Sequence, residues 1–136
     1  MLIQSISGIR GTIGGVAGNG LTPPDIVRFA TGYGAWVLAN LSSDHSSHLT
    51  AKPIVVIGRD ARLSGAMVSD LVAATLNSLG IDVIDLGLST TPTVELAVPE
   101  LNADGGIILT ASHNPKQWNA LKLLDNNGEF LSAAEG

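Results

Sequence analysis

Gly105-Gly-Ile-Ile-Leu-Thr-Ala-Ser-His-Asn-Pro115 joins a short apolar run to a cluster of small polar residues. Ile107, Ile108 and Leu109 have the pattern of a buried strand, and Pro115 lacks the N–H that a continuing strand would need. A strand that stops so abruptly leaves Ser112 on a loop beside an imidazole, His113, and a carboxamide, Asn114. In open α/β sheets, ligands bind at the carboxyl ends of strands. Ser112 is therefore a candidate nucleophile or phosphate carrier. The plain alternative is a well-capped turn, in which serine and asparagine satisfy backbone groups.

The rest of the chain places this stretch in an alternating pattern. Residues 2–6 read as a first strand, followed by a glycine-rich loop over 7–15 that runs on to Gly20. Thr22 caps a helix with proline in its first turn, and Ile26, Phe29, Ala30, Tyr33, Trp36 and Val37 recur at helical spacing to about Asn40. Gly32 and Gly34 weaken that helix and point to close packing. After a polar loop over 42–52, residues 54–57 form a buried strand that ends at Gly58-Arg-Asp-Ala-Arg-Leu-Ser-Gly65. Ser64 can cap the next helix, whose apolar face runs from Met67 to Leu79 and which Gly80 closes. A third strand over 83–86, a helix over about 93–98, and a hairpin of 121–124 with 129–131 turning at Asn127-Gly128 complete the order. Short crossover helices between apolar strands predict an α/β fold, a three-layer α/β/α sandwich with a mixed, mainly parallel sheet and a C-terminal β-hairpin. The loops over 7–15, 58–65, 87–92 and 110–115 should then share one sheet edge.

Bulk properties narrow the function. The 136 residues fit a single domain, and a composition 45% hydrophobic and 14% charged excludes disorder. A net charge of −5 argues against nucleic acid as a partner. The absence of cysteine rules out disulfides and thiolate metal sites. There is no apolar run of membrane-spanning length, and the start lacks the basic region of a signal peptide, so a cytoplasmic protein without membrane partners is expected. Arg10, Arg59 and Arg62 sit beside glycines and are plausible anion ligands, while Asp60 is expected to pair locally or cap its loop. His45 and His48 lie in a polar loop without a third ligand and read as solvent-exposed. No Gly-x-Ser-x-Gly elbow surrounds Ser112, and Gly11-Thr-Ile-Gly-Gly15 lacks the spacing of a nucleotide loop.

Thr110-Ala-Ser-His-Asn-Pro115, with Asn119 and Lys122 behind it, resembles the phosphoserine loop of the α-D-phosphohexomutases, the phosphoglucomutase, phosphomannomutase and phosphoglucosamine mutase enzymes. Ser7-Gly-Ile-Arg-Gly11 resembles that family's N-terminal arginine loop, and Gly58-Arg-Asp-Ala-Arg-Leu-Ser64 its second loop. The three matches fall in the family's order. Residues 1–136 would be the first of four domains, the one that bears the phosphoserine.

The resemblance implies an intramolecular phosphotransferase that interconverts hexose 1-phosphate and 6-phosphate through a bisphosphorylated sugar. Ser112 would carry the phosphoryl group, Lys122 would be the general base, and Arg10 would steer charge and protons at the phosphoserine. His113 and Asn114 would orient the loop, with Thr110, Asn119, Arg59 and Arg62 supporting it and the substrate. Mg²⁺ is implied, with the Ser112 phosphate as one ligand and the others outside this chain, and hexose 1,6-bisphosphate as activator. The partners implied are a phosphorylated hexose and the remaining domains of the same chain. Alone, this piece is expected neither to turn over substrate nor to hold Mg²⁺ tightly. Ala120 departs from the glycine of many relatives. The reading from another class is a non-catalytic phosphosugar-binding or domain-docking module.

Overall fold

The computed structural model of the protein describes residues 2–5, 8–14, 17–18, 20–41, 52–110 and 118–131. Among them lie β1 (Leu2–Ser5), β2 (Gly8–Thr12), α1 (Pro23–Ala39), β3 (Ile54–Arg59), α2 (Gly65–Ser78), β4 (Asp82–Leu88), α3 (Thr91–Glu100), β5 (Gly105–Leu109) and β6 (Trp118–Leu124). All six strands join one sheet in the order β1-β2-β6-β5-β3-β4.

The sheet is mixed, as the sequence predicts, but its parallel part is confined to β4, β3 and β5. The other three pairings, β1 with β2, β2 with β6 and β5 with β6, are antiparallel, so the sheet is not mainly parallel. The difference comes from residues 8–12, expected as loop and found as β2. Ile9 is buried and Arg10 exposed, the alternation of a strand with one solvated face. Gly8 serves close approach rather than loop freedom, because a Cβ there would run into the Leu121 carbonyl of β6. Beyond β6 the chain turns at Asn127-Gly128, where Gly128 has φ +78°, and returns to bridge Phe130 with Leu124.

Two hydrophobic clusters make the three layers. On one face, Ile26, Ala30, Tyr33 and Val37 of α1 and Val68, Val72 and Leu76 of α2 pack on Val55, Ile57, Ile107, Leu109, Leu121 and Leu123 of the sheet. On the other, Val94 and Val98 of α3 pack on Val56, Ile108 and Leu124. Side chains on Gly58 and Gly106 would overlap Val94 and Val98, so these two glycines let α3 sit close to β3 and β5. Gly34 likewise admits Leu79 and Leu76 between the helices, whereas Gly32 faces open space. No helix among the described residues is long and apolar enough to cross a membrane.

Helix ends follow the sequence closely. Thr22 stands at the N-cap of α1, and its N–H and hydroxyl both donate to the Asp25 carboxylate. The Gly18 N–H donates to the same carboxylate at 3.0 Å, tying the preceding loop to the helix start. The Thr22 hydroxyl and the Gly18 amide outweigh the effect of burial and hold the Asp25 carboxyl below its ordinary pKa. Gly80 follows the C-cap of α2 with φ +83°, the left-handed geometry that favours glycine.

Tyr33 fastens α1 to the sheet. Its hydroxyl accepts from the Gly106 N–H at 2.9 Å and donates to the Leu124 carbonyl at 2.6 Å, where β5 meets β6. Burial pushes its phenol pKa well above the ordinary value, so the group stays neutral. Tyr33→Phe strands a buried N–H and a buried carbonyl and should cost about 1–3 kcal/mol in urea unfolding. A midpoint equal to that of the wild type would show that water replaces the hydroxyl.

Candidate functional site

β2 and β5 run in the same direction, so Thr12, Arg59, Leu88 and Leu109 all end at one edge of the sheet, where β6 begins at Trp118. Most of the expected convergence of loops is therefore present. Gly8 is the exception, since it starts β2 at the opposite end. Ser112, His113 and Asn114 lie outside the described residues, as do His45 and His48. The segment over 111–117 leaves from Thr110 and re-enters at Trp118, which places its two roots at this edge.

Arg10 and Lys122 come together on the sheet itself. Across the antiparallel pair of β2 and β6, Gly8 stands opposite Lys122 and Arg10 opposite Ala120. Arg10 and Lys122 are therefore diagonal neighbours on one face, within reach of each other's long side chains. Both line a concave pocket of about 290 Å³ with Ile3, Ser5, Ala120 and Phe130. Arg10 is exposed and Lys122 half-buried. Ala120, 3% exposed, stands directly opposite Arg10 and also lines the pocket. Lys122 is also paired with Ile108 of β5, the strand that leads into the Ser112 segment. Ser5 and Phe130 were not legible as site residues, because only the partner strands bring them to the pocket.

The loop after β3 is built around Asp60. Its carboxylate accepts from the Arg62 guanidinium at 2.8 Å, the Arg62 N–H at 3.2 Å and the Thr110 hydroxyl at 2.7 Å. Arg62 also donates to the Trp118 carbonyl at 2.9 Å. Asp60 thus pairs locally, as expected, and also reaches a residue fifty positions away. Burial acts to raise its pKa, but the bonds from Thr110 and Arg62, with the Arg62 charge, prevail and hold it below 3.8. A depressed carboxyl stabilises the fold above its unfolded pKa and ceases to do so as pH falls through the lower folded value. Asp60→Asn should therefore make the loss of stability between neutral pH and about pH 3 shallower than in the wild type, as read by urea midpoints. Parallel pH curves would show that this carboxyl adds nothing.

Ser64 holds the N-cap position of α2, but it does not cap the helix with its side chain. Its hydroxyl instead accepts from the Asn119 carboxamide at 2.9 Å, and Asn119 is fully buried. Arg59 is half-buried at the end of β3, with its side chain beside Gly65 at the start of α2. No group of three His, Asp or Glu suited to a metal ion occurs among the described residues.

A sequence model described as phosphoglucomutase/phosphomannomutase, alpha/beta/alpha domain I, matches residues 2–135. The chain is 39% identical over 123 residues to a phosphoglucomutase/phosphomannomutase of Thermococcus kodakarensis, covering 89% of this chain and 25% of that protein. It is 42% identical over 118 residues to a phosphoglucosamine mutase of Leuconostoc mesenteroides, covering 87% of this chain and 25% of the relative. The chain therefore spans about a quarter of the length of these relatives. The crystal structure of a phosphoglucomutase/phosphomannomutase family protein from Burkholderia thailandensis superposes with a TM-score of 0.76 at 27% identity, over 99% of this chain and 29% of that one.

Proposed function

The chain belongs to the phosphoglucomutase/phosphomannomutase family, matching its alpha/beta/alpha domain I, and on that premise we propose that it supplies the phosphoserine domain of a hexose-phosphate mutase. The observation that carries the reading is the shared face of β2 and β6, where Arg10 and Lys122 line one pocket beside the strand that leads to Ser112. Neighbouring strands of one sheet hold such a pair more rigidly than loops would.

The proposed step is a phosphoryl transfer. The bond from phosphorus to the Ser112 oxygen breaks, and a bond from phosphorus to a sugar hydroxyl oxygen forms. The hydroxyl proton passes to the Lys122 amine, and the Arg10 guanidinium faces the negative charge of the moving group. The departing Ser112 oxygen takes up a proton from water to become a hydroxyl, which gives that proton up again in the return transfer. The bisphosphorylated sugar then turns round and returns its other phosphate to Ser112. His113 and Asn114 orient the loop that bears the serine. A divalent cation such as Mg²⁺, when bound, neutralises charge on the phosphoryl oxygens. From this chain the Ser112 phosphate would be its ligand, and the remaining ligands would come from the other domains. Those domains also complete the substrate site, so the 136-residue chain by itself should be inactive and bind Mg²⁺ weakly. A hexose 1,6-bisphosphate would prime the serine.

The test is interconversion of 1- and 6-phosphates of glucose, mannose and glucosamine by the full-length protein. Turnover of at least one pair supports the reading. Binding of the sugar phosphates without any interconversion would instead make the chain part of a phosphosugar-binding module.

A further inference from the structure

We infer that Asp60 and Arg62 form a clamp that ties Thr110 and Trp118, the residues on either side of 111–117, to one ion pair, and that they act as positioning residues for transfer at Ser112; this deepens the mutase reading and rests on it. The N-terminal root is held twice. The Thr110 hydroxyl donates to the Asp60 carboxylate at 2.7 Å, and the Asp60 N–H donates to the Leu109 carbonyl at 3.1 Å. At the C-terminal root, the Arg62 guanidinium donates to the Trp118 carbonyl at 2.9 Å, and the Asn119 carboxamide donates to the Ser64 hydroxyl at 2.9 Å. The two halves are joined by the Arg62–Asp60 pair at 2.8 Å, with the Arg62 side chain only 11% exposed.

A short segment whose two ends are tied to one rigid group has far fewer conformations than one tied at separate points. The Asp60 carboxylate is the common point, because one of its oxygens, Oδ2, takes both the Thr110 hydroxyl and the Arg62 guanidinium. Thr110 is the described residue nearest in sequence to Ser112, two positions before it. Arg62 commits donors to Asp60 and Trp118, which makes it a strut of the loop rather than a simple anion ligand. A displacement of about 1 Å in a reacting group can slow a reaction by about a hundredfold without changing how substrate binds. Asp60 and Arg62 are thus positioning residues, with Thr110 as their handle on the serine.

The experiment uses the full-length protein with Asp60→Ala, Asp60→Asn, Thr110→Val and the Asp60→Ala/Thr110→Val double variant. The clamp predicts kcat lowered about 10- to 100-fold by Asp60→Ala with KM within about twofold. Asp60→Asn, which keeps an oxygen for Thr110, should lie between this variant and the wild type. The double variant should be no slower than Asp60→Ala, since both changes cut the same link. In hydrogen exchange, the peptide over 111–117 should exchange at least about tenfold faster in Asp60→Ala while β3 and β5 keep their protection. Unchanged exchange over 111–117 overturns the clamp, and so does equal acceleration throughout the sheet, which marks general destabilisation. If Asp60→Ala does not fold, Asp60→Asn carries the same two readouts. Intact mass of the wild type after incubation with glucose 1,6-bisphosphate reads phosphate at Ser112 separately. A serine that never takes phosphate sinks the mutase reading, while the exchange data still decide whether the clamp exists.

Discussion

Ser112→Ala in the full-length protein should lower kcat for hexose-phosphate interconversion by at least about a thousandfold, with little change in substrate binding. Under the proposed mechanism every turnover passes a phosphoryl group through this one oxygen. Alanine removes the atom and leaves the pocket of Arg10 and Lys122 intact, so the sugar phosphate still has its cationic partners. Loss of kcat without loss of binding is the mark of a covalent carrier. A variant that kept more than about a tenth of wild-type turnover would move the phosphoryl carrier elsewhere.

Lys122→Ala should lower kcat by about 10²- to 10⁴-fold, the usual range for a general base. Lys122→Arg separates the two roles that a cation can have in this pocket. A guanidinium keeps the positive charge next to Arg10 but cannot be deprotonated in a protein. If Lys122 takes the hydroxyl proton, the arginine variant is nearly as slow as the alanine one. If arginine restores most of the rate, the residue serves as a phosphate contact and the proton goes to another group. The register helps the comparison, since on the β2 side Lys122 lies opposite Gly8, which has no side chain to meet the longer one, and on the β5 side Ile108 stays its neighbour in both variants.

The parallel half of the molecule was legible in the sequence because its signals are local. Ile54-Val-Val-Ile57 and Gly105-Gly-Ile-Ile-Leu109 are apolar on both faces, and both strands are indeed covered by helices on both sides. Thr22, Asn127-Gly128 and Gly80 mark ends and turns by chemistry that acts within a few residues. β2 was not legible for the opposite reason. Gly8 and Gly11 within five residues read as loop freedom, and only the Leu121 carbonyl of the facing strand shows that Gly8 is there to make room. That one strand changes the balance of the sheet and moves Arg10 from an edge loop to the sheet face.

The site divides in the same way. Lys122 and Arg10 could be singled out by residue type and by resemblance, but their meeting depends on the pairing of β2 with β6. Asp60, next to Arg59, was expected to pair locally or cap its loop, and the local partner it takes is Arg62. Its bond to Thr110 depends on β5 lying beside β3 in parallel, which no local pattern encodes. Ser64 was expected to cap α2, but the buried Asn119 claims its hydroxyl, a long-range bond that displaces a local one.

The account stands most directly on the phosphoryl group itself. Full-length protein incubated with glucose 1,6-bisphosphate, then cleaved and mapped by mass spectrometry, should carry one phosphoryl group on the peptide that contains Ser112. That group should be lost when unlabelled hexose monophosphate is added. Protein that stays unphosphorylated at Ser112 while still interconverting the sugar phosphates would contradict the account.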